Sequence, residues 1–209
     1  MKTIIFDFDG TIADSYSVVV GIIGRLTGHN SFEERELNDF KEKTIIEIAK
    51  GLEISKFKWP FLVALGRKEM SRKIDKLELF DGIKDMLVSL SKQPVNVMIL
   101  SSNSEDNINK FINKHNLKTY FNDVQGNVGL LSKSRALKSL VADKKIKLND
   151  AIYIGDEARD AIAASKVGLN FIGVGWGFNS LKMLSKYPNY KLVDKPADLN
   201  TVLKEWIKS

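Results

Sequence analysis

The sequence predicts an α/β fold: a doubly wound, Rossmann-like parallel sheet that carries an inserted all-helical cap domain. Two patterns indicate this. Short apolar runs rich in Ile, Val and Phe alternate with longer amphipathic stretches, and one interval of about 65 residues lacks such a run. Parallel strands are buried on both faces and read as continuous apolar runs. Strand, helix and strand in this rhythm are typical of crossover connections.

Four runs predict buried strands, and a fifth predicts an edge strand, at residues 3–8, 95–100, 151–154, 171–174 and 191–193. Amphipathic stretches between them predict helices over residues 81–92, 104–115 and 132–143. Ser104 and Ser132 are suitable N-cap residues, and acidic residues after Ser104 suit a first helical turn. The alternation therefore supports a sheet with helical crossovers.

The interval without strands has three helix-like segments, at residues 15–28, 33–52 and 60–74. It is far longer than a single crossover needs. We therefore predict a core domain made of residues 1–14 and 80–209, with residues 15–79 inserted as a helical cap after the first strand.

The composition excludes several classes of protein. Of the 209 residues, 44% are hydrophobic and 28% are charged, and the chain has no cysteine. No apolar run reaches the roughly 18 residues that span a bilayer, and aspartates interrupt the apolar start, unlike a signal peptide. We expect a cytoplasmic protein with no membrane partner and no disulfide or thiolate metal site.

The net charge of +6 comes from lysines that are scattered and interleaved with glutamate. A nucleic-acid site usually concentrates its positive charge on one face. We therefore expect no nucleic-acid partner, although a mildly positive surface would attract an anionic substrate.

Asp7 and Asp9 follow the first predicted strand in the run Phe6-Asp7-Phe8-Asp9-Gly10-Thr11. Residues two apart in a strand share a face, and ligands of open α/β sheets lie beyond the carboxyl ends of the strands. Two carboxylates there repel each other unless a cation or a shared proton intervenes. The pair is a candidate site, although an Asp-Gly after a strand is also a common turn.

Ser101 and Ser102 follow the second predicted strand and lead into a helix, where hydroxyl and backbone N–H groups can bind an anion. Lys133 lies near the start of a later helix, where the helix dipole favours anions and disfavours a lysine. A phosphate or carboxylate bound at this place would explain a lysine there. Taken singly, the serines are consistent with a plain helix cap and Lys133 with an ordinary surface lysine.

Asp156 follows the strand at 151–154, and Asp160 comes one helical turn later on the same face. Two carboxylates directed at one point, with no His or Cys nearby, suit Mg²⁺ better than zinc. Each of the four signals is modest alone. Their occurrence in this order at strand ends is much more specific.

The Asp-x-Asp-Gly-Thr run with a later Gly-Asp-x-x-x-Asp resembles the motifs of the haloacid dehalogenase-like superfamily, and the resemblance covers nearly the whole chain. The position of the helical insertion is similar to that in the phosphoglycolate phosphatase-like branch. Motif two departs from that branch, because Ser102-Asn103 stands where Thr-Asn is the commoner form.

The resemblance implies a Mg²⁺-dependent phosphatase that acts on a small phosphorylated metabolite. By the resemblance, Asp7 is the nucleophile, and Asp9 is the acid and base that also offers its backbone carbonyl to the metal. The remaining roles that it implies are phosphate binding or support of the phosphate loop by Thr11, Ser101, Ser102 and Lys133, metal binding by Asp7 and Asp156, and an outer position near the metal for Asp160.

Two alternatives stay open at this point. A phosphomutase of the same branch would return the phosphoryl group to a sugar. A non-catalytic binding module would be expected to have lost one of the motif residues, and all are present. Asp9 separates this chain from the dehalogenases of the superfamily, which cleave carbon–halogen bonds and need no leaving-group acid at that position. The sequence names neither the substrate nor the oligomeric state, which we expect to be a monomer or a dimer.

Overall fold

The computed structural model describes residues 1–29, 31–129 and 131–209. Six strands form one parallel sheet in the order β3-β2-β1-β4-β5-β6. Their bounds are β1 Lys2–Phe6, β2 Val95–Leu100, β3 Asp123–Gln125, β4 Ala151–Gly155, β5 Asn170–Val174 and β6 Lys191–Val193. The predicted doubly wound parallel sheet is confirmed.

β1 lies at the centre of the sheet, between β2 and β4. Its last residue, Phe6, is opposite Ile99 of β2 on one side and Ile154 of β4 on the other. The chain segments that leave these three strands therefore emerge together at one edge, where the strand order reverses. In open α/β sheets this switch point is where ligands bind.

Ten α-helices accompany the sheet in the described part of the chain. Five lie between β1 and β2: α1 Tyr16–Thr27, α2 Glu34–Lys41, α3 Ile45–Gly51, α4 Trp59–Ser71 and α5 Ile83–Leu90. The other five are α6 Glu105–Lys114, α7 Lys133–Asp143, α8 Ala158–Val167, α9 Leu181–Leu184 and α10 Pro196–Lys208.

Helices α1 to α4 occupy the interval expected to be a cap, and we refer to them as the cap helices. The two connections to the core run side by side, because Asp14 N–H donates to the carbonyl of Glu78 and Phe80 N–H donates to that of Ile12. The boundaries of the two domains stay a prediction.

The helix-like segment at 33–52 is two helices rather than one. Thr44 caps α3 by accepting from Glu47 N–H at 3.2 Å, and the Glu47 carboxylate accepts from Thr44 N–H at 2.7 Å. This reciprocal capping favours a new helix start at Thr44 over continuation of α2.

Side chains of β1 alternate between two apolar layers. Ile4 and Phe6 pack into the layer that contains residues of α5, α6 and α10, whereas Ile5 packs into the layer that contains residues of α7 and α8. The central strands are continuously apolar because helices cover both faces of the sheet. Within the described ranges, no helix combines the length and apolar character needed to cross a membrane.

Candidate active site

The carboxyl edge of the sheet brings together the predicted polar residues. Asp7 directly follows β1, Ser101 follows β2 and Asp156 follows β4. Lys133 begins α7, and Asp160 lies in the first turn of α8. All five are buried. The structure thus places residues that are up to about 150 positions apart in one buried polar cluster.

Lys133 connects two of the carboxylates. Its Nζ donates to Asp7 Oδ2 at 2.7 Å and also to Asp160 Oδ1, and it lies 5.7 Å from the centre of the Tyr153 ring. Burial acts to lower the pKa of Lys133, but the charges of Asp160 and Asp7 outweigh it, so the pKa is raised. Lys133 therefore stays an ammonium group, with a fixed position beside Asp7.

The second oxygen of Asp7 is unused by the protein. Asp7 is 1% exposed, and within the described ranges its Oδ1 has no hydrogen-bond partner. Burial raises the pKa of Asp7 to about 7 against the opposing charge of Lys133. A buried acceptor without a partner is costly and calls for an explanation. A cation or a reacting phosphorus atom would supply one.

Asp7, Asp156 and Asp160 fit a hard cation. One carboxylate oxygen of each lies within 4.8 Å of those of the other two. Burial raises the pKa of Asp156 well above its usual value, and the charges of nearby acids, Glu157 first, add to this. A divalent cation would relieve both effects, and oxygen ligands alone suit Mg²⁺.

Asp156 is held in place by neighbours from both ends of the chain. Its Oδ1 accepts from the Thr11 hydroxyl at 2.8 Å, and its Oδ2 accepts from Phe178 N–H at 2.6 Å. Gly177 allows this close approach, because a Cβ there would lie 2.3 Å from Asp156 Oδ2 and 2.3 Å from the carbonyl of Gly10. Thr11 therefore contacts Asp156, a candidate metal ligand. The expected part of Thr11 in phosphate binding stays a prediction.

Both oxygens of Asp160 are occupied by protein donors. Oδ1 accepts from Lys133 and from the Tyr153 hydroxyl at 3.3 Å, and Oδ2 accepts from Glu157 N–H at 3.1 Å. Asp160 thus fixes Lys133 and the start of α8 at once. This is consistent with the expected outer position of Asp160.

Asp9 lies at the surface of the cluster and is partly exposed. The Asn103 side chain donates to both of its oxygens, and Asn103 Oδ1 accepts in turn from Ser104 N–H at 2.8 Å and from Asn107 at 2.9 Å. Burial raises the pKa of Asp9, and the hydrogen bonds that it accepts offset this only in part. Its position and raised pKa suit a group that exchanges protons.

The loop after β2 carries two serine hydroxyls directly before Asn103, the residue that donates to Asp9. Ser101 Oγ accepts from Asn103 N–H at 3.1 Å, and Ser102 Oγ accepts from Arg159 Nη1 at 2.7 Å. Arg159 also pairs with Glu157 at 2.5 Å, and its Nε is buried without a partner in the described part of the protein. Arg159 adds positive charge where the resemblance implies phosphate.

Sequence reasoning missed Asn103, Arg67 and the segment after β5 as parts of the site. The side chain of Arg67 extends from α4 to the core. Its Nε donates to the carbonyl of Ser102 at 2.9 Å, and its Nη2 donates to the carbonyl of Val128 at 3.0 Å. Neither the partner carbonyls nor the orientation of α4 leaves a sequence signal. Asn103 stands within motif two and could have been included.

Asn179 joins the core to the cap helices. Its Oδ1 accepts from Ala158 N–H, at the start of α8, at 2.8 Å, and its Nδ2 donates to the carbonyls of Lys41 and Lys43 at 3.1 and 2.9 Å. The sequence signal that could have indicated this segment is the glycine-rich run Gly-Trp-Gly-Phe-Asn directly after β5.

A family model described as haloacid dehalogenase-like hydrolase matches residues 4–174. The phosphoglycolate phosphatase of Synechococcus elongatus is 35% identical over 203 residues, which cover 95% of each chain. That of Vibrio cholerae is 23% identical over 195 residues, which cover 86% of each chain. Among solved structures, a predicted phosphatase from Clostridium acetobutylicum superposes with a TM-score of 0.82, at 23% identity over 98% of both chains.

Proposed function

The chain belongs to the haloacid dehalogenase-like hydrolase family and is a phosphatase of that family, and on that premise we propose that it hydrolyses a small-molecule phosphate monoester through an aspartyl-phosphate on Asp7, with Mg²⁺ as cofactor. The observation that carries the proposal is the state of Asp7. One of its oxygens is held by Lys133 at 2.7 Å, and the other is buried without a partner in the described part of the chain. A carboxylate fixed at one oxygen and free at the other is arranged as a nucleophile.

In the first half-reaction, Asp7 Oδ1 attacks the phosphorus atom and the bond from phosphorus to the ester oxygen breaks. Asp9 gives its proton to that oxygen, so the leaving group departs as an alcohol. The ammonium group of Lys133, beside Asp7, offsets the negative charge of the transferring group. Ser101 and Ser102 hold the phosphate oxygens.

In the second half-reaction, Asp9 takes a proton from a water molecule, whose oxygen attacks the phosphorus atom. The bond between phosphorus and Asp7 breaks, and inorganic phosphate leaves. The same carboxyl group thus acts as acid and then as base, which its hydrogen bonds to Asn103 support by fixing its position.

The residues present fit Mg²⁺. Asp7 and Asp156 would bind it with their side chains and Asp9 with its backbone carbonyl, while Asp160 acts through Lys133 and the start of α8. Bound there, Mg²⁺ would offset the repulsion between the carboxylates and the phosphate dianion.

The names of two relatives point to 2-phosphoglycolate as the first substrate to assay. The cytoplasmic location, the absence of a nucleic-acid partner and the oligomeric state stay predictions.

Phosphatase activity is tested with purified protein, Mg²⁺ and p-nitrophenyl phosphate, followed by release of inorganic phosphate. Asp7→Asn keeps the shape of the side chain and should lower kcat by at least about a thousandfold, with an unchanged circular dichroism spectrum. Undiminished turnover in this variant would exclude Asp7 as nucleophile.

Incubation with a hexose 1-phosphate distinguishes the phosphatase from a phosphomutase. Conversion to another sugar phosphate indicates a mutase, and release of free phosphate alone indicates the hydrolase.

A further inference from the structure

A cavity of about 230 Å³ lies between the cap helices and the catalytic edge of the sheet. Its floor contains Asp9, Ser102 and Asn103, so it opens directly onto the proposed leaving-group acid. A group bonded to the ester oxygen that Asp9 protonates would therefore extend into this cavity. Its walls determine which alcohol that group can be.

The walls contributed by the cap helices are almost entirely apolar. Two facing helices, α1 and α4, supply most of them, with Val19, Ile22, Ile23, Leu62, Val63 and Met70 among the lining residues. Thr27 also lines the cavity, but its hydroxyl donates within α1 to the carbonyls of Ile23 and Gly24, at 2.8 and 3.2 Å. Apart from Arg67 and the indole N–H of Trp59, the cap helices thus present hydrocarbon to the leaving group.

The charges around the cavity disfavour a second anionic group on the substrate. Two of the lining side chains, Asp9 and Glu157, carry negative charge when ionised. Of the two lining arginines, Arg159 already holds Ser102 and Glu157, and Arg67 already holds two backbone carbonyls. A carboxylate on the leaving group would lose its hydration and would have to compete with these contacts for an arginine, which is costly.

The volume fits a compact apolar group. An apolar cavity of about 150 Å³ admits a benzene ring, and drug-sized ligands occupy roughly 300 to 1,000 Å³. We propose that this cavity selects phosphate monoesters of an apolar alcohol or phenol, with a branched alkyl chain or a single aromatic ring, over carboxylate-bearing esters such as 2-phosphoglycolate. The inference deepens the proposed function and rests on it for the reaction, but not for the fit of the cavity.

Two phosphonates of equal size test the selection without any turnover. 3-Methylbutylphosphonate and 3-phosphonopropionate have the same number of non-hydrogen atoms, and only the second ends in a carboxylate. Titration calorimetry with Mg²⁺ should give a Kd at least about tenfold lower for 3-methylbutylphosphonate, because burial of apolar surface is favourable and burial of an unpaired charge is not. Equal affinities, or tighter binding of 3-phosphonopropionate, would overturn the inference.

Gly66 of α4 offers a variant that fills the cavity. It lines the cavity, and the nearest atom to a Cβ built there is Ile22 Cγ2, at 3.8 Å. Gly66→Leu should raise the Kd of 3-methylbutylphosphonate at least about tenfold relative to that of methylphosphonate. Gly21→Leu is the matched control, because Gly21 is an exposed residue of α1 with nothing within 4 Å of a built Cβ. An equal change in both variants would show that the cavity does not hold the alkyl group.

Hydrolysis of the corresponding esters separates the two proposals. With methyl, propyl and 3-methylbutyl phosphate, kcat/KM should rise about two- to fourfold for each added methylene. If the esters are hydrolysed but their order is flat, or 2-phosphoglycolate is preferred, the inference fails and the phosphatase stands. If the phosphonates bind in the expected order but no ester is hydrolysed, the proposed function fails and the cavity selects as inferred.

Discussion

The side-chain amide of Asn103 donates to both carboxylate oxygens of Asp9, at 3.3 and 3.0 Å. Asn103 is buried, and its own carbonyl oxygen accepts from Asn107 at 2.9 Å. A residue of motif two thus fixes the orientation of a residue of motif one. The amide leaves Asp9 free to exchange a proton, which a lysine or arginine at the same place would hinder by stabilising the ionised form.

Replacing Asn103 by Ala should reduce kcat about 10- to 100-fold with little change in KM, because Asp9 would lose its fixed orientation. The reduction should be larger for alkyl phosphates than for p-nitrophenyl phosphate, since an alkoxide needs a proton to depart and nitrophenolate does not. Steady-state kinetics with both esters measure this difference. Equal losses with both would show that Asn103 does not act through Asp9.

Removing the charge of Lys133 should destabilise the protein. In Lys133→Met, Asp7 and Asp160 would be left buried without their cation, and breaking such a pair costs about 3 to 5 kcal/mol. Lys144→Met is the control, since Lys144 pairs with Asp123 at 2.9 Å in an exposed position worth at most about 1 kcal/mol. Urea unfolding without added metal compares the two. Similar losses in both variants would contradict the assigned importance of the buried pair.

Adding a methyl group at Gly177 should displace Asp156. The built Cβ lies 2.3 Å from an Asp156 oxygen, and the atoms that it meets belong to a carboxylate and to backbone, which cannot move aside freely. We expect Gly177→Ala to raise the Mg²⁺ concentration needed for half-maximal activity at least about tenfold. Gly51→Ala, where nothing lies within 4 Å of the Cβ, should leave that concentration unchanged. An unchanged value in Gly177→Ala would argue against Asp156 as a metal ligand.

Removal of the metal should abolish activity and lower thermal stability. Mg²⁺ binds the folded state, so saturating concentrations should raise the Tm of the native protein by several degrees. Asp156→Asn should lose most of that increase, because one charged ligand is gone. Differential scanning fluorimetry with and without a chelator measures both effects. Full activity in the presence of a strong chelator would remove the metal from the mechanism.

The parts of the fold that the sequence predicts are those with a strong local pattern. β2 and β4 are continuous apolar runs and lie where predicted, within one residue. β3 has only three residues, all of them partly exposed, and its run Asp-Val-Gln has no apolar pattern to detect. β1 ends at Phe6 rather than at residue 8: Asp7 N–H still donates to a carbonyl of β4, but the loop that follows turns back on itself, with several of its N–H groups donating to the carbonyl of Phe8.

The candidate site also contains some residues that a local sequence pattern predicts and others that it does not. Carboxylates spaced for one face and placed after strands are a local signal, and this signal alone indicates Asp7, Asp9 and Asp156, whereas their assigned roles stay predictions. Arg67 is different, because its contacts depend on how α4 lies over the loop after β2. No local pattern encodes that relationship between a cap helix and a core loop.

The central position of β1 has a consequence for how the protein is made. β1 is made before the other five strands of this sheet, yet its two neighbours begin at residues 95 and 151, and the backbone donor to Asp156 comes from residue 178. The apolar run of β1 therefore stays unpaired until β2 has been made, while the helices encoded between the two strands need only local contacts to form. A nascent chain that stops before about residue 180 holds the nucleophile but cannot yet assemble the site around it, so catalytic competence requires the segment that follows β5.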